Sequence, residues 1–258
     1  MWRGRLSLRP RPNIADAVNG FAPSLNPALD WSRLAEAYRR DGRVRIDDLL
    51  DPASADELER VLLASDAWLQ MVNSGDKLFE LSREVRASFD ADRSAALQAA
   101  VDEAARWGFQ YRYEALRVPD APAERSAAGR PIDRFAAFLS SEPVLRFLQA
   151  VTGQAAIGFA DAQATRYNPG DFLTGHDDEV AGKNRVAAYV YGLTRRWRVE
   201  WGGLLLFHES DGQVSGLVPA FNSLTLFSVP QPHSVSIVTR FAGAPRLSIT
   251  GWLRAGPP

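Results

Sequence analysis

Three residues have the types and the spacing that could hold a metal ion. His176 and Asp178 lie two positions apart in residues 174–179, and His233 follows 55 positions after Asp178. Two imidazoles and one carboxylate are the ligand set of a mononuclear non-haem Fe(II) site, which leaves part of the metal open to other ligands. The chain has only three histidines, and two of them fall in this pattern. By itself a His-x-Asp tripeptide is more often a solvated acidic turn.

A polar strand after His233 favours the metal interpretation. Alternation over residues 246–253 places one polar face opposite an apolar one; the polar face carries Arg246, Ser248, Thr250 and Trp252, and the apolar face carries Leu247, Ile249 and Leu253. Arg246 could bind a dicarboxylate through a bidentate, charge-assisted pair, with Ser248 as a further donor. The alternative is a surface salt bridge. Beside His176, Asp178 and His233, we favour the anion anchor.

The third histidine, His208, competes with His233 for the role of third ligand. It ends the apolar run 204–207 and is followed by Glu209, Ser210 and Asp211, which is a turn-like context. No arginine-led strand follows at a suitable distance. We therefore predict a structural role for His208.

On an extended backbone, residues two apart project to the same side, so we predict that one strand end supplies both His176 and Asp178. His233 must then come from a later strand that pairs nearby. Asp177 would point away from the metal and stay solvated.

Composition indicates an ordinary globular chain. The 258 residues are 46% hydrophobic and 24% charged, with a net charge of −1. We predict one catalytic domain over residues 1–258, with an N-terminal arm (1–25), a mainly helical support (26–152) and a β core (153–258). The charge balance gives no reason to expect a nucleic-acid partner. No run approaches the ~20 apolar residues that cross a bilayer, so no membrane partner is expected.

The absence of cysteine excludes disulfides, zinc–thiolate sites and iron–sulfur clusters. A ferrous site suits a reducing compartment, and we predict a cytoplasmic location. The sequence leaves the oligomeric state open.

The first half of the chain reads as mainly helical. Asp30 is predicted to cap a helix that ends at Gly42, a short strand covers 44–46, and Asp51-Pro52 opens a second helix. Further helices are predicted over 90–107 and 132–151. Residues 119–131, which contain three prolines and Gly129, are predicted to form a loop.

After Gly153 the pattern changes to short runs bounded by Gly, Pro and Asn, which is typical of antiparallel β structure. Strands are predicted at 162–167, 185–193, 203–207, 214–217, 223–229, 234–238 and 246–253. The predicted fold class is mainly β with flanking helices: a double-stranded β-helix, or jelly roll, supported by N-terminal α-helices.

Several ordered motifs carry a resemblance to a known family. Beside residues 176–179 they are 201–207 (Trp-Gly-Gly-Leu-Leu-Leu-Phe), 219–224 (Pro-Ala-Phe-Asn-Ser-Leu), 227–229, 233–235 and 246–253. With these motifs, roughly over 160–255, the chain resembles the 2-oxoglutarate- and Fe(II)-dependent dioxygenases of the prolyl hydroxylase branch. It looks most like the catalytic domain of the ribosomal-protein prolyl hydroxylases.

The resemblance implies the cofactors and the site residues. Fe(II) would be bound by His176, Asp178 and His233, and 2-oxoglutarate would be held through its distal carboxylate by Arg246. O2 is the other cosubstrate, and ascorbate is a candidate reductant. Tyr167 would contact 2-oxoglutarate through its hydroxyl.

A second family tyrosine most nearly matches Tyr191. This chain has Tyr189, Tyr191 and Gly192 where the family has a Tyr-Leu step, so the choice between Tyr189 and Tyr191 stays open. Core packing is the alternative for Tyr167 and Tyr191. Trp252 is expected in the pocket wall or the core.

The implied activity is hydroxylation of a prolyl residue in a protein or peptide substrate, with release of succinate and CO2. Residues 179–184, 119–131 and the N-terminal arm would form the rim that accepts it. The alternative is a hydroxylase of a free amino acid or small metabolite.

Overall fold

The computed structural model describes residues 21–75 and 77–256. Most of the predicted N-terminal arm lies outside this part of the chain. The helices are α1 (Trp31–Asp41), α2 (Pro52–Ala64), α3 (Arg83–Ala87), α4 (Ala91–Trp107), α5 (Pro122–Ala128), α6 (Pro131–Leu139) and α7 (Glu142–Thr152). Among these residues no helix combines the length and apolar character that a bilayer crossing requires.

The helix ends that local chemistry predicts are confirmed. Asp30, Asp51 and Asp90 each cap a helix by accepting a hydrogen bond from a backbone N–H three residues on. Gly42 ends α1 in the left-handed conformation, with φ of 66°.

Two predictions in the region before the β core are wrong. Residues 119–131 are not entirely a loop, because Pro122 opens helix α5 and Gly129 ends it. The predicted helix over 132–151 is two helices, α6 and α7. Pro143 stands in the first turn of α7; its ring and its missing N–H prevent one helix from continuing through this point.

Thirteen strands lie in the described residues. They are β1 (Arg43–Ile46), β2 (Leu69–Ser74), β3 (Lys77–Leu81), β4 (Tyr111–Arg117), β5 (Ile157–Ala160), β6 (Gln163–Tyr167), β7 (Phe172–His176), β8 (Arg185–Leu193), β9 (Leu205–His208), β10 (Val214–Leu217), β11 (Phe221–Ser228), β12 (His233–Val235) and β13 (Arg246–Ala255). The seven predicted strands of the β core are present, with ends shifted by a few residues. Strands β2, β3 and β4 were not predicted, so the first half is less helical than its sequence suggests. In the β core, β5 was not predicted either, and β7 is the strand that ends at His176.

The strands pair antiparallel in the order β1-β11-β8-β13-β6-β4-β7-β12-β9-β10. The sheet curls on itself, and with the flanking helices it confirms the predicted mainly β, jelly-roll fold class. Strand β4, from the helical half, lies between β6 and β7. Strands β7 and β12 are neighbours, and His233 is the register partner of His176. Strand pairing therefore places both histidines at one point.

The two faces of β8 and β13 have different surroundings. One face packs on the helices in the main hydrophobic core, whose buried members include Leu58, Phe135, Phe147, Tyr191, Leu226 and Ile249. Since side chains alternate along a strand, the other face carries Val190, Arg246, Thr250 and Trp252 toward the inside of the curl.

Candidate metal and cosubstrate site

His176, Asp178 and His233 meet at the inner face of the curled sheet. The Asp178 Oδ1 atom lies 3.4 Å from Nε2 of His176, and its Oδ2 atom lies 3.5 Å from Nε2 of His233. One ligand atom from each residue falls within 4.8 Å of the others. Two imidazole nitrogens and a carboxylate at this separation can bind one metal ion on one side and leave its other side open.

Asp178 reaches the cluster differently from the prediction. Strand β7 ends at His176, and Asp178 has a left-handed φ of 66°. The carboxylate is therefore turned back toward the histidines by the loop, and alternation along an extended strand does not place it. Asp177 is exposed, as predicted, and its carboxylate accepts the backbone N–H of Glu179.

Backbone carbonyls select the nitrogen that each histidine offers. Nδ1 of His176 lies 3.0 Å from the carbonyl of Thr174, and Nδ1 of His233 lies 2.7 Å from the carbonyl of Gln231. Each ring donates from Nδ1 to its carbonyl, which leaves Nε2 free as the metal ligand. This is the usual arrangement behind metal-bound histidines.

The charges of the cluster suit a divalent cation. Burial, with a smaller contribution from neighbouring His176, lowers the pKa of His233 to about 4. His233 is therefore neutral at physiological pH. Burial raises the pKa of Asp178, but contacts with His176, His233 and the Trp252 indole outweigh it and hold that pKa below its ordinary value. Neutral imidazole and ionised carboxylate are the forms that bind metals.

Arg246 is a buried cation with no carboxylate beside it in the described residues. Its side chain is 4% exposed, and its guanidinium lies 4.9 Å from the ring centroid of Tyr167, its register partner on β6. Burial lowers the pKa of Arg246, and the Tyr167 hydroxyl counteracts it only in part. Because a buried charge without a partner is costly, the site is suited to an anionic ligand such as a carboxylate.

One cavity of about 410 Å³ joins these groups. Its lining includes His176, Asp178 and His233 as well as Tyr167 and Arg246. The cluster and the buried guanidinium thus face the same space. Five of the seven predicted site residues, Tyr167 included, come together here.

An aromatic wall that was not predicted runs along β4 into this cavity. Ring centroids are 5.6 Å apart for Phe109 and Tyr111, 5.4 Å for Tyr111 and Tyr113, and 5.2 Å for Tyr113 and Tyr167. Phe109 also lies 5.5 Å from the His176 ring. The spacing of two residues between Phe109, Tyr111 and Tyr113 was the signal available in the sequence.

The structure does not bring Tyr191 to the cavity. Its hydroxyl donates to Asn222 over 2.8 Å, and its ring stacks on Phe135 at 5.0 Å in the core against the helices. The prediction that Tyr191 contacts the cosubstrate is therefore wrong. Tyr189 contributes to the cavity wall, but its hydroxyl donates to the carbonyl of Asp161.

The sheet register explains this outcome. Gly192, and not Tyr191, is the register partner of Ser248 and shares its face. A Cβ atom on Gly192 would lie 2.3 Å from the carbonyl oxygen of Ala220, so a side chain has no room there. Ser248 itself lies behind Arg246 in a smaller recess, and its hydroxyl is 2.8 Å from that of Thr165.

His208 stays outside the cluster, as predicted. Its Nε2 atom lies 2.9 Å from the Ser234 hydroxyl. His233, and not His208, therefore completes the candidate metal-binding cluster.

Comparison with known proteins agrees with this site. Residues 162–254 match the family model of the 2OG-Fe(II) oxygenase superfamily. No curated protein matches the sequence significantly. Among solved structures, a Pseudomonas putida prolyl-4-hydroxylase superposes with a TM-score of 0.55 at 17% identity, covering 88% of this chain and 100% of that chain.

Two further solved structures have the same fold. A Trichoplax adhaerens prolyl hydroxylase in complex with a hypoxia inducible factor peptide gives a TM-score of 0.55 at 14% identity, covering 87% of this chain and 89% of that one. The epimerase SnoN from nogalamycin biosynthesis, described as non-heme and alpha ketoglutarate dependent, gives 0.52 at 15% identity, covering 87% and 82%. At these identities the likeness establishes the fold and leaves the substrate open.

The family-model match, the fold and the His176–Asp178–His233 cluster together support the 2OG-Fe(II) oxygenase superfamily. This family implies Fe(II) and 2-oxoglutarate as cofactors, with O2 as cosubstrate. The narrower resemblance to ribosomal-protein prolyl hydroxylases stays a prediction.

Proposed function

Taking the 2OG-Fe(II) oxygenase superfamily as the premise, we propose that this chain hydroxylates a prolyl residue in a protein or peptide, with release of succinate and CO2. One observation carries the oxygenase part of the proposal: the three-ligand cluster and a buried arginine without a carboxylate partner line the same cavity. A metal ion would fill the three-ligand cluster, and a dicarboxylate would supply the missing partner of the arginine.

The residues present suit both groups. His176, Asp178 and His233 would hold Fe(II), and Arg246 would hold the far carboxylate of 2-oxoglutarate, with the Tyr167 hydroxyl beside it. When bound, iron and 2-oxoglutarate supply the oxygen activation that inserts an oxygen atom into a C–H bond. The protein supplies position, charge and exclusion of water.

Each of these contributions has a structural source. The backbone carbonyls of Thr174 and Gln231 orient the two imidazoles through Nδ1. Arg246, which is 4% exposed, would compensate the negative charge of a bound dicarboxylate through a charge-assisted pair. The apolar residues Val190, Leu205 and Val235 line the cavity between these groups and limit the access of water.

The aromatic wall supports a prolyl substrate. Phe109 is 50% exposed at the cavity mouth, and Tyr111 and Tyr113 continue the same face inward. Aromatic rings offer a flat apolar surface against which a pyrrolidine ring can pack. Val180, 47% exposed in the loop after Asp178, lies on the lining of the same cavity. An extended peptide could lie across this mouth and place one proline inside.

The neighbours add support of a weaker kind. The Trichoplax adhaerens enzyme has a peptide in its structure, and two other solved structures of this fold are prolyl 4-hydroxylases. We extend a peptide substrate to this chain by analogy of fold alone. We also propose a cytoplasmic location, because a ferrous centre stays reduced in a reducing compartment, with ascorbate as a candidate reductant.

Mass spectrometry of proteins from a cell extract tests the substrate. The extract is incubated with the enzyme, Fe(II), 2-oxoglutarate and ascorbate, and proteins are searched for the mass of one added oxygen on proline. We expect such sites to depend on enzyme and to be absent with Asp178→Ala. Succinate formation should rise when the matching synthetic peptide is added.

A His208→Ala variant is the matched control, since this histidine lies outside the cluster and should leave hydroxylation unchanged. Oxygen on free amino acids or small metabolites, with none on protein, would replace the peptide substrate by the metabolite alternative. Absence of succinate formation with any substrate would contradict the oxygenase itself.

A further inference from the structure

The indole of Trp252 presents a buried N–H without a partner beside the candidate metal ligands. Its Nε1 atom is inaccessible to solvent, and no described residue accepts from it at hydrogen-bond geometry. Trp252 nevertheless lines the same cavity as Asp178. Buried donors in folded proteins are nearly always satisfied, so this one calls for an acceptor.

A second side chain fixes the position of the indole. The Arg185 guanidinium lies 3.5 Å from the Trp252 ring centroid, which is a close cation–π stack. The same guanidinium donates from Nη1 to the backbone carbonyl of Asp178 over 3.0 Å. The carboxylates of Asp178 and Asp161 also attract this guanidinium, so the stack, the carbonyl and these charges together define its place.

Asp178 needs such support because of its backbone. Its φ of 66° lies in a region that residues with a side chain seldom occupy, and it sits in a loop directly after β7. Trp252, in contrast, is held in β13, where its backbone N–H donates to the Asp161 carboxylate over 2.7 Å. A rigid strand thus carries the indole against a loop residue whose conformation must be maintained.

We propose that Arg185 and Trp252 act as a stacked positioning pair for Asp178. Arg185 holds the left-handed backbone of Asp178 through its carbonyl, and the unsatisfied Trp252 indole N–H is the donor that the metal-bound carboxylate would accept. The pair orients the carboxylate for metal binding and takes no part in the bonds that change. The inference rests on the proposed function, because it assigns Asp178 to the metal.

Metal affinity tests the pair without measuring turnover. Calorimetry gives the Kd of Mn(II), a stand-in for Fe(II) that is stable in air, in the presence of 2-oxoglutarate. Trp252→Phe keeps a ring under Arg185 and removes the N–H, and Arg185→Met removes both the cation and the donor. Loss of an outer-shell partner typically weakens metal binding by about 10- to 100-fold, which is the increase in Kd expected for each variant.

Three comparisons separate positioning from general stability. Arg185→Lys, which keeps a donor, should recover part of the affinity lost in Arg185→Met. The double variant should lose less than the product of the two single losses, since both act on Asp178. Trp107→Phe, at an exposed indole that donates to Glu103, should bind Mn(II) like the wild type.

The outcomes are distinguishable. If the wild type fails to bind Mn(II), the proposed function fails and this inference with it. If the wild type binds and both single variants, folded by circular dichroism, bind equally well, the positioning pair is refuted and the proposed function stands. If Trp252→Phe does not fold, Arg185→Met decides; failure of both to fold would assign the pair to the fold and overturn the inference.

Discussion

Replacing Arg246 by methionine should abolish tight binding of 2-oxoglutarate without weakening the fold. Arg246 is 4% exposed and has no carboxylate partner in the described residues, so a bound dicarboxylate would supply the missing partner. Removing one partner of a buried, hydrogen-bonded charge pair costs about 2–5 kcal/mol. At about 1.4 kcal/mol for each factor of ten, the Kd of 2-oxoglutarate should rise about 30-fold to several-thousand-fold.

Although Arg246→Met should weaken ligand binding, it should not lower the stability of the ligand-free protein. Methionine replaces a buried cation by an apolar side chain of similar length, a change that is often neutral or stabilising. Arg246 also stacks on Tyr167 at 4.9 Å, and loss of this contact offsets part of the gain. We therefore expect an unfolding free energy equal to or above that of the wild type.

Two assays on the same samples test this reasoning. Calorimetry measures the Kd of 2-oxoglutarate on Mn(II)-loaded protein. Thermal unfolding measures how much 2-oxoglutarate stabilises the protein, which is about 2.7 kcal/mol at a ligand concentration of 100 times the wild-type Kd. The variant should lose this stabilisation. Arg195→Met is the matched control: its guanidinium stacks on Phe221 at 3.7 Å but already pairs with Asp56 and Glu59. A wild-type Kd in Arg246→Met, or a large loss of stability without ligand, would refute the assignment of Arg246 as the carboxylate anchor.

Three further predictions follow from the cavity and its surroundings. Tyr191→Phe should leave the Kd of 2-oxoglutarate unchanged and lower the unfolding free energy by about 1 kcal/mol, because its hydroxyl bonds to Asn222 in the core. Tyr167→Phe should raise that Kd, because Tyr167 lines the cavity. Equal effects of the two variants on binding would contradict the register. Gly192→Ala should destabilise the protein by about 1–3 kcal/mol in urea unfolding, because its Cβ would meet the carbonyl oxygen of Ala220 at 2.3 Å; wild-type stability would show that this recess can open. Burial raises the pKa of Asp161 from 3.8 to about 6. Between about pH 4 and pH 6 the folded state therefore holds a proton on Asp161 that the unfolded state has lost. The free energy of unfolding of the wild type should fall by about 2 kcal/mol as the pH rises through this range. In Asp161→Asn this loss should vanish in unfolding titrations across that range, and an unchanged pH profile would place the pKa of Asp161 near its ordinary value.

The members of the candidate metal cluster could be predicted because histidine is rare in this chain. With three histidines in 258 residues, a His-x-Asp and a distant histidine before an arginine-led strand leave few alternatives. What joins them is the pairing of β7 with β12, which depends on the whole topology. The left-handed turn at Asp178 was equally invisible, because aspartate is compatible with both extended and left-handed backbone.

The tyrosine assignment failed for a reason that sequence alone could not remove. Alternation along β13 correctly placed Arg246, Thr250 and Trp252 on one face. The choice between Tyr191 and its neighbour Gly192 depends on how β8 aligns with β13. A shift of one residue in that register exchanges the two faces of a strand, and no short-range signal fixes it.

Strand β4 was missed because its polar residues find buried partners that lie far away in sequence. Arg112 pairs with Asp171, and Glu114 pairs with Arg86 and Arg166. Glu114 is 2% exposed. A charged residue in the sequence argues against a buried central strand unless its ion-pair partners are known. Tertiary ion pairs therefore account for the error, and with it for the unpredicted aromatic wall.

Anaerobic titration with Fe(II) and 2-oxoglutarate tests the central claim most directly. Chelation of the metal by 2-oxoglutarate gives a weak visible charge-transfer band, which reports metal and cosubstrate bound together. We predict the band in the wild type and in His208→Ala, and its loss in His176→Ala, Asp178→Ala and His233→Ala. A well-folded wild type without the band, or a band that survives in the ligand variants and disappears in His208→Ala, would contradict the site.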